Sequence, residues 1–213
     1  VNIQAGSATG TTSNGGAVSL TSGNATSGTA GNVTITAGTG SVANGIVTFT
    51  LGSAERMRID SAGLIGLGTT KPTFQFELQG TGGSPMALTR FTNTSSSTSI
   101  SLQHSRGATV GSNVIVQSGD ILGSILFSGA NGTDYSTAAM VRGEVDGTPG
   151  ASADMPGRLL FMTSADGSAT PTERMRVNSS GQVLINRTSD SGLGIFQIAA
   201  TSANIVDISS TVG

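Results

Sequence analysis

Along the first 54 residues, apolar and polar side chains alternate in short bursts. Val1-Asn2-Ile3-Gln4-Ala5-Gly6 is followed by Val18-Ser19-Leu20-Thr21-Ser22-Gly23 and Val33-Thr34-Ile35-Thr36-Ala37-Gly38. A looser copy is Val47-Thr48-Phe49-Thr50-Leu51-Gly52; the starts lie 17, 15 and 14 residues apart. A period of two marks a strand with one covered face. Each burst ends in Gly, and turn-forming stretches such as Asn14-Gly15-Gly16 separate them. One short strand per repeat predicts a β-solenoid or an intertwined β-helix. Each unit offers only two large apolar side chains, fewer than the coils of a single-chain solenoid stack. Three chains contributing two each would fill a narrow axial core, and closed symmetry would cover the strand edges.

A longer pattern recurs once. Glu55-Arg56-Met57-Arg58-Ile59-Asp60-Ser61-Ala62-Gly63-Leu64-Ile65 returns as Glu173-Arg174-Met175-Arg176-Val177-Asn178-Ser179-Ser180-Gly181-Gln182-Val183, 118 residues on. Phe74-Gln75-Phe76 is echoed by Phe196-Gln197-Ile198. The pattern predicts a β-hairpin with Met57 and Ile59 on one face and Arg56, Arg58 and Asp60 on the other. Asp60 to Gly63 supplies a three-residue hairpin loop with Gly at the left-handed position, and Asn178 to Gly181 repeats that chemistry.

Between the copies, strand-like runs fall at Ser99–Gln103, Asn113–Gln117, Ile121–Phe127 and Ala138–Val145. Gly129-Ala130-Asn131-Gly132, Asp146 to Gly150 and Met155-Pro156-Gly157 read as turns. Arg158 to Thr163 returns as a strand, and no stretch carries the pattern of a useful amphipathic helix. The expected organisation is a β-repeat shaft at 1–54, a hairpin and connector at 55–83, a central β-rich module at 84–160, and a second hairpin with the start of another shaft segment at 161–213. Opening on Val1 and stopping at Gly213, the chain reads as part of a longer polypeptide.

Composition sharpens this picture. There are 32 Gly, charged residues make up 10%, aromatics 4%, and the first charged side chain is Glu55. Ordinary soluble proteins carry roughly 25% charged residues. Ordering a chain costs about 1–2 kcal/mol per residue, and burial returns only about 25 cal/mol per Å² of apolar surface. Side chains this small cannot offset that cost within one chain. Disorder is the other reading of such a composition, but the regular placement of Val and Ile argues against it. The expected fold is all-β: an elongated homotrimeric fibre with intertwined β-helix or β-prism shaft segments, a central β-rich module and no substantial helix.

The net charge of −2 gives no basis for nucleic-acid binding. Cys is absent, so there is no disulfide framework. No run of 18 apolar residues exists, so no membrane insertion is expected. His104, the only His, has no accompanying nucleophile motif for a triad. The scattered acids Asp120, Asp134, Asp146 and Asp154 are not an EF-hand, and the dearth of aromatics speaks against a polysaccharide-cleaving groove. No catalytic, cofactor or metal residue is assigned, although an ion on a threefold axis would fit such a chain. The sequons at Asn24, Asn131 and Asn186 are expected by chance in so Asn/Ser/Thr-rich a sequence.

Glu55 to Gly63 and the following Leu64-Ile65-Gly66-Leu67-Gly68-Thr69-Thr70-Lys71-Pro72 resemble the hallmark of bacteriophage tail fibre and tailspike proteins. Arg142 to Gly150, continued by Asp154-Met155-Pro156-Gly157-Arg158-Leu159, resembles a module common in the same fibres, and the Val-Thr-Ile-Thr-Ala-Gly units resemble shaft repeats. The resemblance implies a homotrimer of identical chains in the virion, assembled in the host cytoplasm, joined to other tail or baseplate proteins and serving attachment to a host polysaccharide or protein receptor. In that family the hairpin often precedes a trimerising chaperone domain, which is not visible in this chain. It gives no receptor-binding residues. The residues expected to work structurally or between chains are Arg56, Met57, Arg58 and Gly63, with Arg174, Met175, Arg176 and Gly181. The arginine forks are expected to bond carboxylates or carbonyls of a neighbouring chain. Two other readings stand beside the structural one: a receptor-binding or depolymerising tailspike segment, and a bacterial surface adhesin or filament.

Overall fold

The computed structural model describes residues 17–82, 85–150, 154–192 and 196–198. Among these residues there is no helix; ten strands form two sheets. The all-β expectation is met. The chain divides into two compact units between Ser96 and Ser97.

The first unit carries β1 (Val47–Leu51), β2 (Ala54–Ile59), β3 (Ile65–Leu67) and β4 (Phe76–Leu78), hydrogen-bonded in that order. The first three are antiparallel neighbours and β4 runs parallel to β3. The second unit carries β5 (Ile121–Ala130), β6 (Tyr135–Val145), β7 (Gly157–Thr163), β8 (Thr172–Val177), β9 (Val183–Ile185) and β10 (Phe196–Ile198). It is an antiparallel meander through β9, closed by a parallel β10.

The last four strands of the second unit repeat the register of the first unit. Phe49, Met57, Leu67 and Leu78 stand abreast across β1 to β4. Phe161, Met175, Ile185 and Ile198 stand abreast across β7 to β10. The repeat therefore reaches back to β1 and β7, whose sequences share little beyond one Phe. It also corrects one detail. Phe196-Gln197-Ile198 corresponds to Phe76-Glu77-Leu78, not to Phe74-Gln75-Phe76. The connection before the final strand is longer in the second copy, which shifts the match.

Both hairpin loops form as their residues dictate. Asp60 Oδ1 accepts the amides of Ala62 and Leu64 at 2.9 Å each, while the Gly63 amide donates to the Asp60 carbonyl. Asn178 Oδ1 accepts the amides of Ser180 and Gln182 in the same way. Gly63 and Gly181 take φ of 83° and 77°, the left-handed region that closes a three-residue loop.

Several expected strands are not formed within one chain. The repeats at 18–23 and 33–38 carry no ladder, and Val18, Leu20, Val33 and Ile35 are exposed. The first repeat, Val1 to Gly6, lies outside the described residues; Val47–Leu51 is a strand because β2 supplies a partner. Ser99–Gln103 and Asn113–Gln117 also have no ladder. Their segment is fastened instead by Arg106, whose guanidinium donates to Asp120 at 2.6 and 2.7 Å, and by Ser105, whose hydroxyl bridges to Ser112 and Val114. The β5–β6 turn falls at Asn131 to Asp134; Gly129 and Ala130 belong to β5.

Candidate functional site

The two faces of each sheet differ sharply. Successive side chains of a strand point to opposite faces. In the first unit one face collects Val47, Phe49, Met57, Ile59, Ile65, Leu67, Phe76 and Leu78 by register. The matching face of the second unit collects Ile125, Phe127, Val141, Leu159, Phe161, Met175, Val177, Val183, Ile185 and Phe196. Much of it is open to solvent: Phe49 is 48% exposed, Phe76 57%, Ile125 57% and Phe196 60%. A sheet face so uniformly apolar, and so uncovered, marks an interaction surface.

The opposite face carries the charges. On it Arg58 donates to Glu55 with both arms of its fork, at 2.6 and 2.9 Å. Arg176 does the same to Glu173, at 2.5 Å twice. Residues three apart on a regular strand point oppositely, so these pairs require an irregularity. It is a bulge: Phe49 opposes Met57 while Thr50 opposes Glu55, which leaves Arg56 as the extra residue. Arg174 is the extra residue in the second copy. The arginine fork lowers the Glu55 carboxyl below its ordinary range by hydrogen bonding, and raises Arg58 in turn.

This placement separates residues that simple alternation groups together. Met57 and Met175 lie on the apolar face. Arg58 and Arg176 lie on the charged face and are engaged within their own chain. Arg56 and Arg174 are exposed and are the extra residues of the two bulges. Arg174 Nε donates to the Thr163 hydroxyl at 2.9 Å, at the margin of the apolar face. The register signal that decides this was not readable from the repeat alone.

Further along the charged face of the second unit, Glu144 accepts from Arg142 at 3.1 Å and from Arg158 at 2.6 and 2.8 Å. Arg158 also donates to Asp146 at 2.9 Å, and Asp146 accepts the Ser179 amide at 2.8 Å. The chain of bonds ties β6, β7 and the hairpin loop after β8 together. Burial raises the Asp146 carboxyl, but the Ser179 amide and Arg158 outweigh it and hold it below its ordinary range. Leu160 and Leu184, 3% and 1% exposed, flank Arg176 in the same row.

The equivalent positions Glu77 and Gln197 both organise the preceding loop. Glu77 accepts the amide and hydroxyl of Thr73 at 2.7 and 3.1 Å; Gln197 Oε1 accepts the amide and hydroxyl of Ser191 at 3.1 and 2.9 Å. His104 is exposed, and no group of three or more His, Cys, Asp or Glu able to hold a metal occurs among the described residues. No helix among them is long and apolar enough to cross a membrane.

No protein-family model matches the sequence, and no curated protein matches it. Among the solved structures similar to part of it are two of the same domain. One is the carboxy-terminal domain of the bacteriophage T5 L-shaped tail fibre, with 17% identity and a TM-score of 0.44 over 59% of this chain and 55% of that one. The other is that domain with its intramolecular chaperone domain, with 16% identity and a TM-score of 0.44 over 58% of this chain and 37% of that one. The chain thus spans little over half of the first and little over a third of the second.

Proposed function

We propose that this chain is a structural segment of a phage tail fibre that trimerises through the apolar faces of its two sheets and helps present receptor-binding elements to the host. The observation that carries the self-association is the face described above. Both sheets turn hydrogen-bonded rows of Phe, Met, Ile, Leu and Val to solvent, while the other side carries the ion pairs and, in the second unit, buried Leu160 and Leu184 beside the exposed Leu126. Covering one such ring or branched chain contributes about 1.5–3 kcal/mol, so identical chains gain by joining these faces.

Three copies suit the chain better than two. The repeats at 18–23 and 33–38 each bring only two large apolar side chains and find no strand partner within one chain. A threefold bundle gives each of them neighbours and leaves no open edge. Met57 and Met175 then belong to the shared core. On this reading Arg56 and Arg174, the exposed extra residues of the two bulges, bond a neighbouring chain. Arg58, Arg176, Gly63 and Gly181 act inside each chain, fixing the face and the loop. The phage assignment rests on the resemblance of the Glu-Arg-Met-Arg hairpins and the shaft units. It brings with it the virion location, attachment to tail or baseplate proteins, and contact with a host receptor.

The mass of the folded protein in solution tests this reading. A species of three chains is expected, migrating as a trimer in SDS without heating because interlocked chains part only on unfolding. A stable monomer would overturn it.

A further inference from the structure

Hairpin β5–β6 outruns the sheet that carries it. β7 pairs with β6 only from Ala139 to Val145, and Ser164 after it still bonds the Ala138 and Thr137 carbonyls, so the end running from Gly129 to Ser136 is two strands wide. Such a ribbon is marginal alone, and here the turn locks it. Asn131 Oδ1 accepts the amides of Thr133 and Asp134 at 2.9 and 2.8 Å, and its Nδ2 donates to the Ser136 hydroxyl at 2.9 Å. The Ser128 and Thr137 hydroxyls pair across the ribbon at 3.2 Å.

Tyr135 stands at the shoulder of this turn, 76% exposed. It is the only Tyr of a chain that has no Trp. Its cross-strand partner is Ala130, which is too small to cover the ring. Beside it Ala130, Gly132, Thr133 and Asp134 line an open depression of about 270 Å³. Asp134 Oδ1 accepts the Tyr135 amide at 2.7 Å; its Oδ2 and the Thr133 hydroxyl have no hydrogen bond among the described residues.

The direction of Tyr135 is set by a bulge. Phe127 opposes Ala139 on the apolar face, and Ser128 opposes Thr137, so Ala138 is the extra residue. Regular alternation from Val141 and Ala139 would bring Tyr135 onto the apolar face with the other large side chains. The extra residue turns it to the charged face, away from the surface assigned to self-association. Bulges re-aim side chains in this way beside functional sites.

We propose that this tip binds a neutral pyranose of a surface polysaccharide, with the sugar's C–H face on the Tyr135 ring and its hydroxyls donating to Asp134 and Thr133. A rigid amphipathic ring gives contact area at small entropic cost, and Gly132 leaves the approach open. The free carboxylate oxygen accepts hydroxyl hydrogens and repels uronic or sialic acids. One ring makes a weak site; several copies in one assembly strengthen it by avidity. The proposal rests on the host-attachment reading and names residues and ligand chemistry for it.

The test titrates the intact, assembled protein with methyl glycosides of glucose, galactose, mannose and N-acetylglucosamine, and with methyl glucuronide. Tyrosine emission comes from Tyr135 alone and reports directly; amide NMR shifts report at Gly132, Thr133 and Asp134. At least one neutral glycoside is expected to saturate both signals, and the glucuronide none. Tyr135→Ala is expected to weaken binding at least tenfold by NMR, with Tyr135→Trp restoring it. A response to none of the glycosides, or binding unchanged by Tyr135→Ala, overturns the proposal. If the assembly keeps its mass in either event, only the sugar site has failed; a monomer in solution would instead strike the reading beneath it.

Discussion

Asn186 stands in the second four-strand unit where Gly68 stands in the first. Both backbones are left-handed, with φ of 55° and 73°, and both amides donate to the equivalent carbonyl, that of Arg174 at 2.8 Å and of Arg56 at 3.0 Å. Asn tolerates this conformation better than other residues with a Cβ. The two sites differ in room. A Cβ on Gly68 would lie 2.1 Å from the Gln79 carbonyl oxygen. Gly68→Asn is therefore expected to destabilise the first unit by about 1–3 kcal/mol, the scale of local strain, although the second unit carries that residue naturally. Thermal unfolding of the variant measures the difference; an unchanged midpoint would show that the two loops are interchangeable.

Acid should loosen the charged faces. Glu55 is lowered by its hydrogen bonds from Arg58, Asp120 lies far below the carboxylate range through Arg106, and Asp190 is lowered by Gln197 and then Gln182. A carboxyl whose folded value is depressed contributes stability above its unfolded value and loses it as pH falls through the folded one. Melting temperature is expected to be level near neutrality and to fall from about pH 4.5 downward, where free carboxylates begin to protonate. Glu55→Gln should flatten part of that fall. A profile that rises in acid would contradict the bonding described.

How much of this was legible in the sequence depends on what fixed each feature. The hairpin loops were readable because Asp60, Asn178, Gly63 and Gly181 act through their immediate neighbours. The apolar identity of Met57 and Ile59 was readable from alternation. Alternation failed at Arg56 and Arg174, because a bulge is a property of two strands in register and β1 resembles β7 only faintly. The shaft strands at 18–23 and 33–38 show the opposite case: their pattern is clear, but a strand needs a partner that one chain does not supply. Tyr135 gave no local signal, since its direction depends on the extra residue at Ala138.

The ionic chain through Arg158 should matter more than a surface pair. Glu144 is 7% exposed and takes two bonds from Arg158. Arg158→Met keeps the stem but leaves Glu144 with Arg142 and Asp146 with the Ser179 amide. Removing one partner from a buried pair costs about 3–5 kcal/mol, and the remaining Arg142 places this case at the low end. Arg158→Met combined with Glu144→Gln should recover part of the loss. Denaturant unfolding of the single and double variants checks the coupling, and additive losses would deny it.

The arginines of the hairpins separate assembly from folding. Arg58→Glu sets two acids side by side on the charged face, so it is expected to lower the stability of the sheet itself. Arg56→Glu alters the exposed extra residue of the bulge and is expected to weaken the trimer while the sheet's strand signature in circular dichroism persists. Phe161→Asp places a carboxylate at the centre of that face and is expected to abolish the trimer. A substitution on the charged face of the same strand, Met162→Gln, should leave it assembled. Mass in solution and SDS resistance, read against circular dichroism for each variant, distinguish these outcomes. If Phe161→Asp remains a trimer, the apolar face is not where the chains meet; if Arg56→Glu and Arg58→Glu behave alike, the bulge does not divide their roles.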